Sequence, residues 1–101
     1  MDYKIEYTTT ALKSLENIYD YISKVLFNSI AAENIVIGIF DAINNLKSFP
    51  KMFPIVEFNV SKKTPVRIAI YKNYKILYSI FEDDNVVVIY DIINSKQNYS
   101  N

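Results

Sequence analysis

The sequence predicts an α+β domain: an N-terminal strand, an antiparallel helical hairpin, then a four-stranded antiparallel run, all in one twisted sheet (β-α-α-β-β-β-β). Three observations carry this. Residues 2 to 7 alternate, with Tyr3, Ile5 and Tyr7 on one face and Asp2, Lys4 and Glu6 on the other, the period of a half-buried strand. From Ala11 to Phe49 apolar side chains recur at three- and four-residue steps, which stacks them on helical stripes. After Pro54 the pattern turns to short apolar runs separated by turn residues, as hairpins require.

Each element has a local signal. Thr8, Thr9 and Thr10 supply N-cap candidates for a first helix whose stripe is Ala11, Leu12, Leu15, Ile18, Tyr19, Ile22, Val25 and Leu26. A break at Phe27-Asn28-Ser29 offers a second cap, and Ala32, Ile35, Val36, Ile39, Phe40, Ile43, Leu46 and Phe49 continue the spacing. Gly38, the only glycine, sits inside this second helix at a cost of about 1 kcal/mol relative to Ala; close packing against the first helix accounts for it. All three prolines lie between Pro50 and Pro65, so the helix ends at Phe49-Pro50 and an irregular stretch follows. Strands are expected at Ile55 to Asn59, Val66 to Tyr71, Lys75 to Phe81 and Val86 to Ile92 or Ile93. Tyr71-Lys72-Asn73-Tyr74 and Glu82-Asp83-Asp84-Asn85 form the turns between the last three. The helices then cover one sheet face and leave the other partly open.

Composition narrows the chemistry. The 101 residues are half apolar, with nine Tyr and six Phe, enough to bury one core, so a single domain over 1–101 is expected and disorder is excluded. There is no cysteine and no histidine, which removes disulfides, thiolate nucleophiles, sulfur-ligated zinc, imidazole bases and Ser-His-Asp triads. Asp83-Asp84 reads as a turn, no other ligands can be nominated for a metal, and one glycine leaves no phosphate loop, so no cofactor is expected. The N-terminus Met1-Asp2-Tyr3-Lys4-Ile5-Glu6 lacks a signal-peptide pattern and no apolar run reaches 18 residues. A cytoplasmic protein without a membrane partner is the expectation.

The eleven cations balance eleven anions, yet the balance is uneven along the chain. Lys4, Lys13 and Lys24 against Asp2, Glu6, Glu16, Asp20, Glu33 and Asp41 give residues 1–46 a charge of −3. Residues 47–75 hold Lys47, Lys51, Lys62, Lys63, Arg67, Lys72 and Lys75 against Glu57 alone, or +6, and the remainder is −3. Arg67 is the single arginine. If the Val66-Ile68-Ile70 side of its strand meets the helices, Arg67 points to the open face, with Lys72 and Lys75 flanking the next hairpin. The structural alternative is a solvated strand face on which Arg67 pairs with Glu57.

Several motifs together carry a resemblance: the helical hairpin ending Leu46-Lys47-Ser48-Phe49-Pro50, then Val66-Arg67, Asn73-Tyr74-Lys75-Ile76-Leu77-Tyr78, and the closing Asp91-Ile92-Ile93-Asn94-Ser95-Lys96-Gln97-Asn98. Across nearly its whole length the chain resembles the RelE/ParE toxin superfamily. The chain departs from the family pattern where Asn94 stands for a common His, Lys96 for a common Arg and Tyr99 for a common Pro. The resemblance implies a toxin of a type II toxin-antitoxin pair, neutralised by a small cognate antitoxin. It also implies one of two targets: the ribosome with its mRNA, cut by RelE-like members, or DNA gyrase, blocked by ParE-like members without catalysis.

Cleavage without a metal needs a base for the 2′-OH, a cation for the phosphorane and an acid for the leaving oxygen. Arg67 and Lys96 are the candidate cations and Tyr74 and Tyr99 the candidate donors or stacking groups. A lysine among Lys62, Lys63 and Lys72 would serve as base if like charges lowered its pKa. Acidic segments on both sides of the basic one, the full helical hairpin and the absent histidine favour gyrase blockade, a non-enzymatic function. In that reading Glu57, Lys62, Lys63, Arg67, Lys72, Lys75 and Asn94 bind protein, and Tyr74 and Tyr78 pack the sheet. A partner that has lost toxicity is the third reading. An apolar surface for the antitoxin is expected at Met52-Phe53-Pro54-Ile55 or on the open sheet face.

Overall fold

The computed structural model describes residues 2–59 and 64–95, with the side chains of residues 57–59 outside that description. Its elements are β1 (Lys4–Tyr7), α1 (Thr9–Asp20), a π-helical turn (Tyr21–Val25), α2 (Ser29–Asn45), β2 (Ile55–Asn59), β3 (Thr64–Tyr71), β4 (Tyr74–Phe81), a 3₁₀ turn (Glu82–Asp84) and β5 (Val86–Asn94). This is the α+β order expected from the sequence. The five strands form one sheet in the order β1-β5-β4-β3-β2. The four C-terminal strands are antiparallel neighbours, and β1 adds to β5 in parallel, so the sheet is mixed.

Thr8 explains why β1 runs that way. Its side chain accepts from the Ala11 N–H at 3.0 Å and caps α1, while its own hydroxyl donates to the Tyr90 carbonyl at 2.7 Å and its N–H to Ile89 at 3.1 Å. The β4–β5 register shifts between Leu77 and Tyr78, which pair with Asp91 and Ile89 and leave Tyr90 as the extra residue of a bulge. One threonine thus caps the helix and ties its start to the bulge. Ser14 of α1 adds a hydrogen bond to the Asp91 carboxylate at 2.5 Å.

The core lies between the helices and one sheet face. Ala11, Leu15, Ile39, Ile43 and Leu46 pack on Ala69, Tyr74, Ile76, Tyr78, Val87, Ile89 and Ile92. Several expectations need correction here. The apolar stripe of α1 does not continue to the hairpin tip: Val25 and Leu26 are exposed, because the π turn shifts the phase after Asp20. Leu12 is exposed as well. The second helix stops at Asn45, four residues early, and Phe49 lies exposed. Asn28 is its N-cap, accepting from Ala31 at 3.0 Å.

The face of β3 turned to the helices differs from the expected one, although Val66 on the other face is buried. Ala69 is buried and Tyr71 packs on the core, whereas Ile70 is 52% exposed. The Arg67-Ala69-Tyr71 side therefore meets the helices. Gly38 is placed by the same contact: a Cβ there would overlap the Tyr71 hydroxyl and ring, with Cε2 at 2.8 Å. Its neighbour is β3, not the first helix. Among the described residues no helix is long and apolar enough to cross a membrane.

Helix propensity alone favours Ala at position 38 by about 1 kcal/mol, but the overlap with Tyr71 forces the ring aside, at about 1–3 kcal/mol. Gly38→Ala is expected to lower the thermal midpoint, and the same change in a Tyr71→Ala background to be neutral or stabilising. Additive losses in the two-mutant cycle would show that Tyr71 is not the reason for the glycine.

Candidate functional site

Arg67, Tyr78 and the Pro50–Pro54 crossover form one unit. Arg67 and Tyr78 are directly paired across β3 and β4 and point to the helix-covered side. The Arg67 guanidinium donates from Nη1 to the Phe53 carbonyl at 2.5 Å, and the fully buried Tyr78 donates its hydroxyl to the Pro50 carbonyl at 2.7 Å. The proline-bounded segment has few backbone partners of its own, so two side chains from the sheet satisfy its carbonyls. The crossover is thereby held against the sheet with Phe49, Met52 and Ile55 outward and exposed. Phe53 itself packs on the core.

The alternative pairing of Arg67 with Glu57 falls on a Glu57 side chain that lies outside the description; in the β2–β3 register Arg67 faces Ile55 and Glu57 faces Val66, with a shift between them. Burial pushes the Tyr78 hydroxyl above its ordinary pKa, partly opposed by the Arg67 charge and a backbone hydrogen bond from Phe53.

A second group gathers at the far end of the same ladder. Tyr71 pairs with Tyr74 and Tyr74 with Asn94, placing the three in a row across β3, β4 and β5. Lys72, at a φ of 52°, makes the two-residue turn, and its ammonium lies 5.8 Å from the Tyr71 ring centroid. Ser95 closes the row by donating its N–H and its hydroxyl to the Asn73 carbonyl, each at 2.6 Å. Lys75 pairs with Ile93 and is exposed, one residue out of phase with Tyr74 and so on the opposite face.

The structure therefore brings Lys72, Tyr74 and Asn94 together and leaves Arg67 apart, about 13 Å along the ladder from Tyr74. Tyr74 is buried, and burial raises its pKa, which weakens it as an acid. Lys62, Lys63, Lys96 and Tyr99 lie outside the described residues. Among the described residues no three His, Cys, Asp or Glu side chains are grouped to hold a metal, and Asp83-Asp84 form the 3₁₀ turn closed by Asn85 at a φ of 59°. The roles of the Pro50 and Phe53 carbonyls have no signal in residue type, because any residue has a carbonyl; the nearby prolines were the hint.

Tyr78→Phe removes a donor and leaves the Pro50 carbonyl unpaired in the interior, a loss of about 1–3 kcal/mol, to be measured by denaturant unfolding. The pH dependence has a definite sign. Because the folded pKa is raised, the stabilisation is fully present below the unfolded tyrosine value of about 10 and is lost as pH rises through the folded value. Tyr7 and Tyr74, also raised by burial, act in the same direction. Stability is expected to fall above about pH 10, and less steeply in Tyr78→Phe; equal slopes would remove Tyr78 from the account.

The comparisons agree with this architecture. Residues 5–99 match the family model described as ParE toxin of type II toxin-antitoxin system, parDE. A chain of the chromosomal ParDE toxin-antitoxin system from P. aeruginosa superposes with a TM-score of 0.74 at 17% identity, covering 93% of this chain and 97% of that one. A chain of the RelBE2 toxin-antitoxin complex from Mycobacterium tuberculosis gives 0.69 at 18%, over 93% and 92%. One from the archaeal RelE-RelB complex of Pyrococcus horikoshii OT3 gives 0.66 at 14%, over 97% and 100%. No curated protein matches the chain. With a model match over nearly its full length and the same fold in ParDE and RelBE complexes, the chain belongs to the ParE toxin family of type II toxin-antitoxin systems.

Proposed function

We propose that this toxin is held inactive by a small cognate antitoxin and acts in the cytoplasm by blocking DNA gyrase, the ParE-like activity, rather than by cutting RNA. The observation that supports this reading is where Arg67 spends its guanidinium. For metal-free phosphodiester cleavage that cation must sit on the phosphorane with an acid within hydrogen-bond reach of the leaving oxygen. Here Arg67 donates to the Phe53 carbonyl, and Tyr74 is buried at the other end of the ladder with its pKa raised. Both residues then act as scaffold, and no histidine is available to replace them. Blockade needs only a surface, and Lys72, Lys75 and Asn94 at the β3–β4 hairpin, together with exposed Phe49, Met52 and Ile55, supply charged and apolar contacts.

The purified toxin is expected to inhibit supercoiling by gyrase and to leave mRNA intact in a translating extract. Arg67→Ala lowers stability through the freed crossover, and inhibition at a temperature where the variant stays folded is expected to persist. Codon-specific cleavage in the ribosomal A site, abolished by Arg67→Ala in a folded variant, would replace this reading with a RelE-like mRNA interferase. Inertness in both assays with tight antitoxin binding would identify a non-toxic partner.

A further inference from the structure

The outer edge of β1 borders a polar cleft. β1 ends the sheet and pairs on one side only, with β5. Lys4 and Thr8 donate their N–H groups across that pairing, to Asn85 at 2.9 Å and Ile89 at 3.1 Å, so the alternate residues Tyr3, Ile5 and Tyr7 turn theirs to the opposite edge. Tyr3 spends its N–H there on the Lys47 carbonyl, at 2.9 Å. The N–H groups of Ile5 and Tyr7 face a cleft of about 610 Å³ between β1 and the end of α2, whose walls include Lys4, Asn44 and Lys47.

The cleft has a charge preference. The Tyr3–Lys47 hydrogen bond fixes the backbone of Lys47 beside the start of β1, so the exposed side chains of Lys4 and Lys47 spring from neighbouring main chain. The ion pairs among the described residues engage other lysines, Lys24 and Lys51. Negative groups nearby are fewer or already engaged. Asp2 also lines the cleft, and its carboxylate accepts from the Ser48 hydroxyl at 3.0 Å. Glu6 follows Lys4 by two residues on the same face, exposed and not part of the cleft wall. The carbonyls of Ile43, Asn44 and Asn45, which end α2, accept from the N–H groups of Leu46, Lys47 and Phe49.

Two ammonium groups, two strand N–H groups and the Asn44 amide make a set rich in donors. A carboxylate would match only one of the two cations. A phosphate monoester carries nearly two negative charges at neutral pH, and its three terminal oxygens can take an ammonium from either side of the edge and a strand N–H between them.

We propose that the cleft between β1 and the end of α2 binds a phosphate monoester, carried by a free metabolite or by the end of a nucleic acid. This site is separate from the Arg67 crossover and the β3–β4 hairpin, and the inference holds whichever target the toxin blocks.

The test titrates the full chain with AMP, adenosine and acetate, read by calorimetry and amide NMR. AMP is expected to bind with its largest amide shifts at Ile5 and Tyr7, and adenosine and acetate at least tenfold more weakly. Lys4→Gln combined with Lys47→Gln is expected to weaken AMP tenfold or more while leaving the thermal midpoint unchanged, since both side chains are exposed. An RNA trimer with a 5′-phosphate separates the two sources: tighter binding than AMP assigns the site to a nucleic-acid end, and equal or weaker binding to a free metabolite. Equal affinity for AMP and adenosine, equal affinity for AMP and acetate, shifts centred elsewhere, or insensitivity to the double lysine variant would each overturn the proposal.

Discussion

The hydroxyl of Tyr78, sealed in the middle of the sheet, decides how the helical and β halves of this toxin meet. Its ring packs among Ile39, Ile43, Ile76 and Ile89 in the core, and its oxygen reaches the Pro50 carbonyl where α2 has just ended. Beside it Arg67 takes the Phe53 carbonyl. A proline-bounded crossover cannot satisfy its own backbone in a ladder, so these two side chains do so from the sheet. The long strand β3, the edge strand β2 and the exposed Phe49-Met52-Ile55 ridge all follow from that attachment. A tyrosine that must stay protonated to donate makes the attachment sensitive to alkaline pH, and the neighbouring guanidinium only partly offsets the effect of burial.

Thr8 plays the corresponding part at the other edge. By capping α1 and bonding to the bulge at Tyr90, it sets the angle at which the chain leaves β1, and hence the parallel pairing with β5. The two attachments hold the hairpin over one sheet face from opposite sides. The outer side of α2, the hairpin tip and the turn at Lys72 are exposed.

Much of the fold was legible because periodicity is local. The strands from Ile55 onward fell within two residues of their observed limits, Thr8 and Asn28 proved to be the helix caps, and the turns lay where Lys72-Asn73 and Glu82-Asn85 indicated. The candidate site was less legible. Its arginine was found, but on the wrong face, because Val66, Ile68 and Ile70 read as the buried side when Ala69 and Tyr71 are smaller or more polar. Alternation names two faces without saying which one the helices cover. Phase was lost again after Asp20, where the π turn inserts an extra residue per turn and strands Val25 and Leu26 outside the core.

By itself the sequence determined the order and type of the elements, the absence of imidazole and thiol chemistry, and the motifs that mark the toxin family, since each of these is a matter of residue identity and short-range spacing. Only the tertiary structure decided which side of β3 is buried, that Gly38 exists for Tyr71, and that Arg67 serves a carbonyl fourteen residues away. Those choices depend on which surfaces the crossover brings together, a long-range packing condition that no local pattern encodes.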